Sequence, residues 1–219
     1  QEDMVRRNLV RRYPVGLGIV EVAPIQMAKA FSTIANQGRE VVPIGIRYIE
    51  DRNGRIIMEP EQDLRIEQQR KGQDAQIISP QTAYIMTDML QTTVESGTLR
   101  WAQSLVDGFD QPTAGKTGTT QNWADAWTLG FTPYYTTAIW FGFDKGGSNA
   151  LGTNQTGAVT TGPVWARYMK AIHDGLEPRE FIEPTEGLTR ATVTRRTGLL
   201  PTEDYTGETY EEVFISGTE

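Results

Sequence analysis

At 219 residues with 38% hydrophobic content, the chain can bury one ordinary core, and its length demands no second full domain. A formal net charge of -7 excludes a broad nucleic-acid surface, which needs clustered Lys and Arg to neutralise phosphates. With no cysteine and a single histidine, His173, thiol chemistry, disulfide frameworks and zinc-ribbon or histidine-rich metal sites are excluded, so neither a metal nor a cofactor is expected.

The chain opens on Gln1 and charged residues without the apolar h-region of a signal peptide, and a piece of a longer chain is the expectation. Arg6, Arg7, Arg11 and Arg12 read as a solvated face rather than a membrane-surface patch. Over residues 22–37, Ile25, Ala28, Phe31, Ile34 and Ala35 recur at helical spacing, with Pro24 suited to the first turn and Gly38 to the stop. Residues 41–49 and 55–58 are β-branched runs flanking Asp51-Arg52-Asn53-Gly54, whose Asn-Gly step favours a hairpin turn. Residues 60–76 are mostly charged or amide side chains and read as a solvated loop.

Ser79-Pro80 is a cap and first-turn pair for a second helix, in which Ala83, Met86, Met89, Leu90 and Val94 supply a buried stripe and Gly97 the stop. Three β-rich segments follow, at 113–119, 126–131 and 135–143, the last two separated by a Thr-Pro turn. The charge-free span 126–143 nears membrane-crossing length, but Gly130, Thr132 and Pro133 interrupt it. Residues 146–162 are rich in Gly, Thr and Asn. Pro163 then opens a helix with Val164, Trp165, Tyr168, Met169 and Ile172 on its apolar face. Residues 179–219 show no sustained period and read as an extended tail or linker, which leaves 1–178 as the globular part. Helices flanking an antiparallel sheet make the expected fold class α+β.

Gly115-Lys116-Thr117-Gly118-Thr119-Thr120 places a cation, hydroxyls and a glycine on a strand. Alternation puts Thr117 and Thr119 on one face, and Gly118 removes bulk that would hold a ligand backbone away. Such a strand can receive an extended peptide by edge pairing, with hydroxyls for a carboxylate and Lys116 for positive potential. A nucleotide-binding P-loop is ruled out, because Asp110 stands where its first glycine belongs and Gly108 is misplaced.

That run, followed by Trp123, Asp125-Ala126-Trp127 and Gly130-Phe131-Thr132-Pro133, resembles the third active-site motif of penicillin-binding proteins and its following strands. The resemblance extends to Gly18-Ile19-Val20-Glu21-Val22-Ala23-Pro24 with Ala35-Asn36-Gln37-Gly38, to Thr161-Gly162-Pro163-Val164-Trp165 and to the ending Phe214-Ile215-Ser216-Gly217-Thr218-Glu219. It thus covers nearly the whole chain and points to the C-terminal part of the transpeptidase domain of class A, bifunctional members. The fold it implies is that of penicillin-binding transpeptidases and serine β-lactamases. The activity it implies is acyl transfer: a serine attacks the penultimate D-alanine of a peptidoglycan stem peptide, releases the terminal D-alanine and passes the acyl group to an amine. β-Lactams mimic that substrate. On this resemblance Lys116 and the backbone N–H of Thr119 are catalytic, as electrostatic helper and oxyanion donor. Thr117, Gly118, Thr119 and Thr120 bind substrate, the hydroxyls of Thr117 and Thr119 taking its carboxylate.

The family also uses Ser-x-x-Lys and Ser-x-Asn, and neither occurs in the chain. The nearest substitutes, Thr113 before Lys116 and Thr120 before Asn122, read as structural, and His173 as a surface or satisfied residue rather than a base. Three readings therefore stand: half of a transpeptidase site whose serine comes from an upstream part of the same protein, a non-catalytic module binding peptidoglycan peptide or a partner, or a serine β-lactamase or D,D-carboxypeptidase. By family analogy the protein is anchored in the cytoplasmic membrane by a segment not present here and works on its outer, periplasmic side.

Overall fold

The computed structural model describes residues 18, 20–144 and 149–218; Arg6, Arg7, Arg11 and Arg12 lie outside them. Helix α1 (Pro24–Ala35) begins at its proline and presents Phe31, Ile34 and Ala35 to the core, while Ile25 stays exposed. The hairpin strands β1 (Ile49–Glu50) and β2 (Ile56–Met58) pair as the Asn-Gly signal requires. Asp51 Oδ1 accepts from the N–H groups of Asn53 at 2.8 Å and Arg55 at 3.0 Å, and Gly54 takes φ +80°, a side-chain-bonded turn that a β-carbon would strain. The expected strand over 41–49 shrinks to its end, because Pro43 lacks a ladder donor and Gly45 packs nothing.

Residues 60–76 are not a loop. They form α2 (Pro60–Lys71) and a single 3₁₀ turn (Gly72–Ala75). No apolar period announces α2, yet its charges suit a helix: Glu61 and Asp63 lie in the first turn, Arg70 and Lys71 in the last. Glu61 pairs with Arg65 at 2.7 Å, and Lys71 ties the helix end to Glu40 at 2.9 Å.

In α3 (Pro80–Glu95) Ser79 caps as expected, its hydroxyl accepting the Thr82 N–H at 3.1 Å. The buried stripe is Ala83, Thr87, Leu90 and Val94. Met86 and Met89, expected inside, are 39% and 60% exposed, because the stripe centred on Ala83, Thr87, Leu90 and Val94 leaves Met86 at its margin, about 70° round the helix, and Met89 beyond it, about 130° round. After a short α4 (Arg100–Gln103) come β3 (Ala114–Thr119), β4 (Ala126–Phe131) and β5 (Thr136–Phe141). They form one antiparallel sheet in the order β3-β4-β5, with Thr117 opposite Thr128 and Gly130 opposite Thr137.

Two cores cover the two faces of this sheet. On one, Phe131 meets Phe31 of α1 and Phe181 edge-on, at 6.4 and 5.6 Å between ring centroids. On the other lies α5 (Thr161–Ile172), with Trp165, Ala166 and Met169 fully buried against Leu99, Ala102 and Phe109. Val164 and Tyr168, expected on that apolar face, are exposed.

The stretch 179–219, expected as an extended tail or linker, instead holds β6 (Leu188–Thr194) and β7 (Thr209–Ile215), an antiparallel hairpin that buries Val193 and Val213. The Gly-, Pro- and acid-rich connection over 195–208 masks the pairing of two β-branched strands in the sequence.

Candidate active site

Among the described residues β3 pairs with β4 alone, so it is an edge. The Thr120 N–H donates to Asp125 O at 3.1 Å. An antiparallel ladder alternates, so the N–H and C=O groups of Thr117 and Thr119 point to the unpaired side. Lys116 is exposed, and its Nζ donates to Thr117 O at 2.8 Å. Among the described residues the edge thus offers two N–H donors turned away from β4, beside a cation.

The hydroxyls of the strand are held from behind. Thr117 shares a face with its register partner Thr128, whose buried hydroxyl lies 2.8 Å from that of Thr161 at the start of α5. The Gly157 carbonyl accepts from Thr161 Oγ1 at 3.0 Å, and the Gly157 N–H donates to Thr119 Oγ1 at 3.1 Å. A β-carbon on Gly157 would collide with Trp127 O and lie 2.6 Å from Gly118 O. Only glycine lets this segment press onto the β3 backbone. Thr117 Oγ1 in turn lies 2.8 Å from Thr98 Oγ1.

Thr120 is engaged differently. Its hydroxyl donates to Asp125 Oδ2 at 2.9 Å and accepts the Asp125 N–H at 2.8 Å. Trp140 Nε1 donates to Asp125 Oδ1 at 2.9 Å. These bonds clamp the β3–β4 turn, where Asn122 and Trp123 take φ of 58° and 54°, and Leu151 N–H secures it by donating to Trp123 O at 2.8 Å.

The structure therefore gathers Lys116, Thr117, Gly118 and Thr119 along one edge, and places Thr120 in the turn that ends it. His173 lies elsewhere, buried against Phe109, Tyr134 and Tyr135. Its Nδ1 is 2.6 Å from Met169 O and its Nε2 2.7 Å from Thr132 Oγ1. The carbonyl can only accept, so Nδ1 carries the hydrogen. Thr132 Oγ1 already accepts from the N–H groups of Tyr134 and Tyr135, so its proton goes to Nε2, and every position on the ring nitrogens is satisfied. Thr113 is buried, its hydroxyl donating to Gln111 O at 2.7 Å, which is no place for a nucleophile. A cavity of about 160 Å³ lined by Ile34, Tyr84, Thr87, Pro133 and Phe181 includes no residue of β3. Among the described residues no three Asp, Glu or His side chains converge as metal ligands. Thr98 and Gly157 went unmarked in the sequence because they lie 19 and 38 residues from their partners, beyond any local period.

The sequence pattern of the penicillin-binding protein transpeptidase domain matches residues 6–160. Penicillin-binding protein 1A of Aquifex aeolicus is 34% identical over 212 residues, which cover 97% of this chain and 27% of the relative. Penicillin-binding protein 1A of Neisseria gonorrhoeae is 40% identical over 173 residues, covering 78% of this chain and 20% of the relative. The chain thus spans about a quarter of the length of these relatives. A crystal structure of penicillin-binding protein 1A from Haemophilus influenzae superposes with a TM-score of 0.80 over 99% of this chain and 36% of that one, at 23% identity, a likeness of fold.

Proposed function

Because the chain belongs to the penicillin-binding protein transpeptidase family, we propose that β3 is one wall of a serine D-Ala-D-Ala transpeptidase site whose Ser-x-x-Lys and Ser-x-Asn are supplied by another part of the same protein. The observation that carries this reading is the open edge of β3, where outward N–H groups, an exposed Lys116 and the hydroxyls of Thr117 and Thr119 run together. A stem peptide or a β-lactam lies along this edge as an added strand. Lys116 supplies positive potential, and the hydroxyls of Thr117 and Thr119 donate to the substrate carboxylate. Gly118 lets the ligand backbone approach. The Thr119 N–H donates to the carbonyl oxygen as it becomes an oxyanion. The serine oxygen bonds to the carbonyl carbon of the penultimate D-alanine and the peptide bond breaks. The terminal D-alanine leaves with a proton on its nitrogen, and the acceptor amine then displaces the serine. Thr120 contributes by holding the turn, its hydroxyl being committed to Asp125.

Residues 1–178 form the transpeptidase portion, and the hairpin of β6 and β7 follows it. No helix among the described residues is long and apolar enough to cross a membrane. By analogy with the family the intact protein is anchored in the cytoplasmic membrane, and the site works on the periplasmic face. A peptide-binding module without chemistry is the second reading, favoured by the edge alone.

One experiment separates the two. The full-length protein is mixed with a penicillin and the adduct followed by intact mass. An adduct on an upstream serine, formed at least about a hundredfold more slowly after Lys116→Ala or Thr117→Ala in variants that still fold, supports the transpeptidase. No adduct leaves the binding module, and rates unchanged in both variants end the assignment of β3.

A further inference from the structure

We propose that Thr98 is a positioning residue for the carboxylate-binding hydroxyl of Thr117, an inference that rests on the transpeptidase reading above. The two hydroxyl oxygens are 2.8 Å apart, so one donates to the other. Two hydroxyls own two protons, and their mutual bond uses one. If Thr98 donates, the Thr117 proton is free to point at a ligand, and its oxygen is polarised by the bond it accepts. A carboxylate has no proton to give and therefore selects that orientation, producing a relay from Thr98 O–H through Thr117 O–H to the anionic oxygen.

The backbone holds Thr98 in place for this. It stands between Gly97, whose N–H closes α3 by donating to Thr92 O at 2.9 Å, and Leu99, whose N–H donates to Thr93 O at 3.0 Å. The Leu99 side chain is fully buried, and its Cδ1 lies 2.7 Å from where a β-carbon on Gly115 would be. The segment is thus registered against β3 two residues from Thr117. Thr98 itself is exposed and caps no helix, since α4 starts after Leu99 without a side-chain cap. Neither core packing nor capping accounts for its hydroxyl.

Thr119 follows the same logic from the other side. Gly157 N–H donates to its oxygen, which leaves the Thr119 proton free to donate outward. Both hydroxyls assigned to the substrate carboxylate are therefore held as outward donors by a group behind them.

The test uses the full-length protein and the second-order rate of acylation by benzylpenicillin. Thr98→Val should slow acylation about tenfold, as loss of a charge-assisted hydrogen-bond chain does. Thr98→Ser should restore the rate to within about twofold, because it keeps the hydroxyl. In a Thr117→Val background, Thr98→Val should change nothing further, since the relay is already cut. A wild-type rate for Thr98→Val, a failure of Thr98→Ser to rescue, or an undiminished effect in the Thr117→Val background would each overturn the proposal. Should Thr98→Val not fold, Thr98→Ala carries the same comparison. If Thr117→Val alone acylates at the wild-type rate, the role of Thr117 falls, and Thr98 with it. If Thr117→Val is slow and Thr98→Val is not, only the role of Thr98 falls.

Discussion

Asp125 shows how a single side chain shapes the end of β3. Its two carboxylate oxygens accept from two donors, the Thr120 hydroxyl and the Trp140 indole. An asparagine keeps one of these acceptors and turns an NH₂ group toward the other donor. Asp125→Asn should therefore lower stability by about 1–3 kcal/mol, the cost of a lost charged hydrogen bond with a donor left facing a donor, read as a shift of the denaturant midpoint. Acylation by penicillin in the full-length protein should fall as well, because the freed turn follows directly on Thr119. Asp125 was visible in the sequence as part of a motif. Its partner Trp140 was not, because the indole arrives from β5.

Among the elements, the hairpin of β6 and β7 departs most from expectation. It docks on α3 through polar contacts. Arg190 of β6 donates to the Tyr84 hydroxyl of α3 at 3.2 Å and to Glu183 Oε2 at 2.9 Å, and the segment just before β6 adds two further contacts, Tyr84 O–H donating to Glu183 Oε2 at 3.0 Å and Gln81 Nε2 to Glu186 O at 2.9 Å. Asp88 of α3 lies beneath this contact. Burial, and then the nearby Glu212, push its carboxyl above the ordinary aspartate range. A raised folded pKa means the fold favours protonated Asp88, a contribution present below the ordinary aspartate pKa and lost as pH rises through the folded value. Asp88→Asn should therefore raise the melting temperature at pH 7 by about 1–2 °C, a size typical of a partly exposed charge, and the gain should vanish near pH 3. A gain that persists in acid would show that charge is not its origin. Helix α2 taught the complementary lesson, since its end charges and Glu61–Arg65 pair signal a helix that apolar periodicity alone overlooks.

At the scale of the molecule, the sheet is a partition between two cores, one under α1 and one under α5. Trp165 has no exposed surface and lies against Gly130 of β4, so Trp165→Ala should cost about 3–5 kcal/mol, measured by chemical denaturation. Because Thr161 begins the same helix and holds the Gly157 carbonyl, that loss should reach the site, and acylation should weaken before the fold is lost. The sequence by itself determined the α+β class, the Asn-Gly hairpin, the Ser79 cap, β4 to the residue and the run from Lys116 to Thr119, because caps, turns and strand alternation are set by chemistry within a few positions. Only the tertiary structure decided that β3 is an edge, that Thr98 and Gly157 stand behind its hydroxyls, that Met86 and Met89 face outward and that residues 188–215 close into a hairpin. Each of these depends on which distant segments meet, and a hydrogen bond or a buried face between residues tens of positions apart leaves no local period to read.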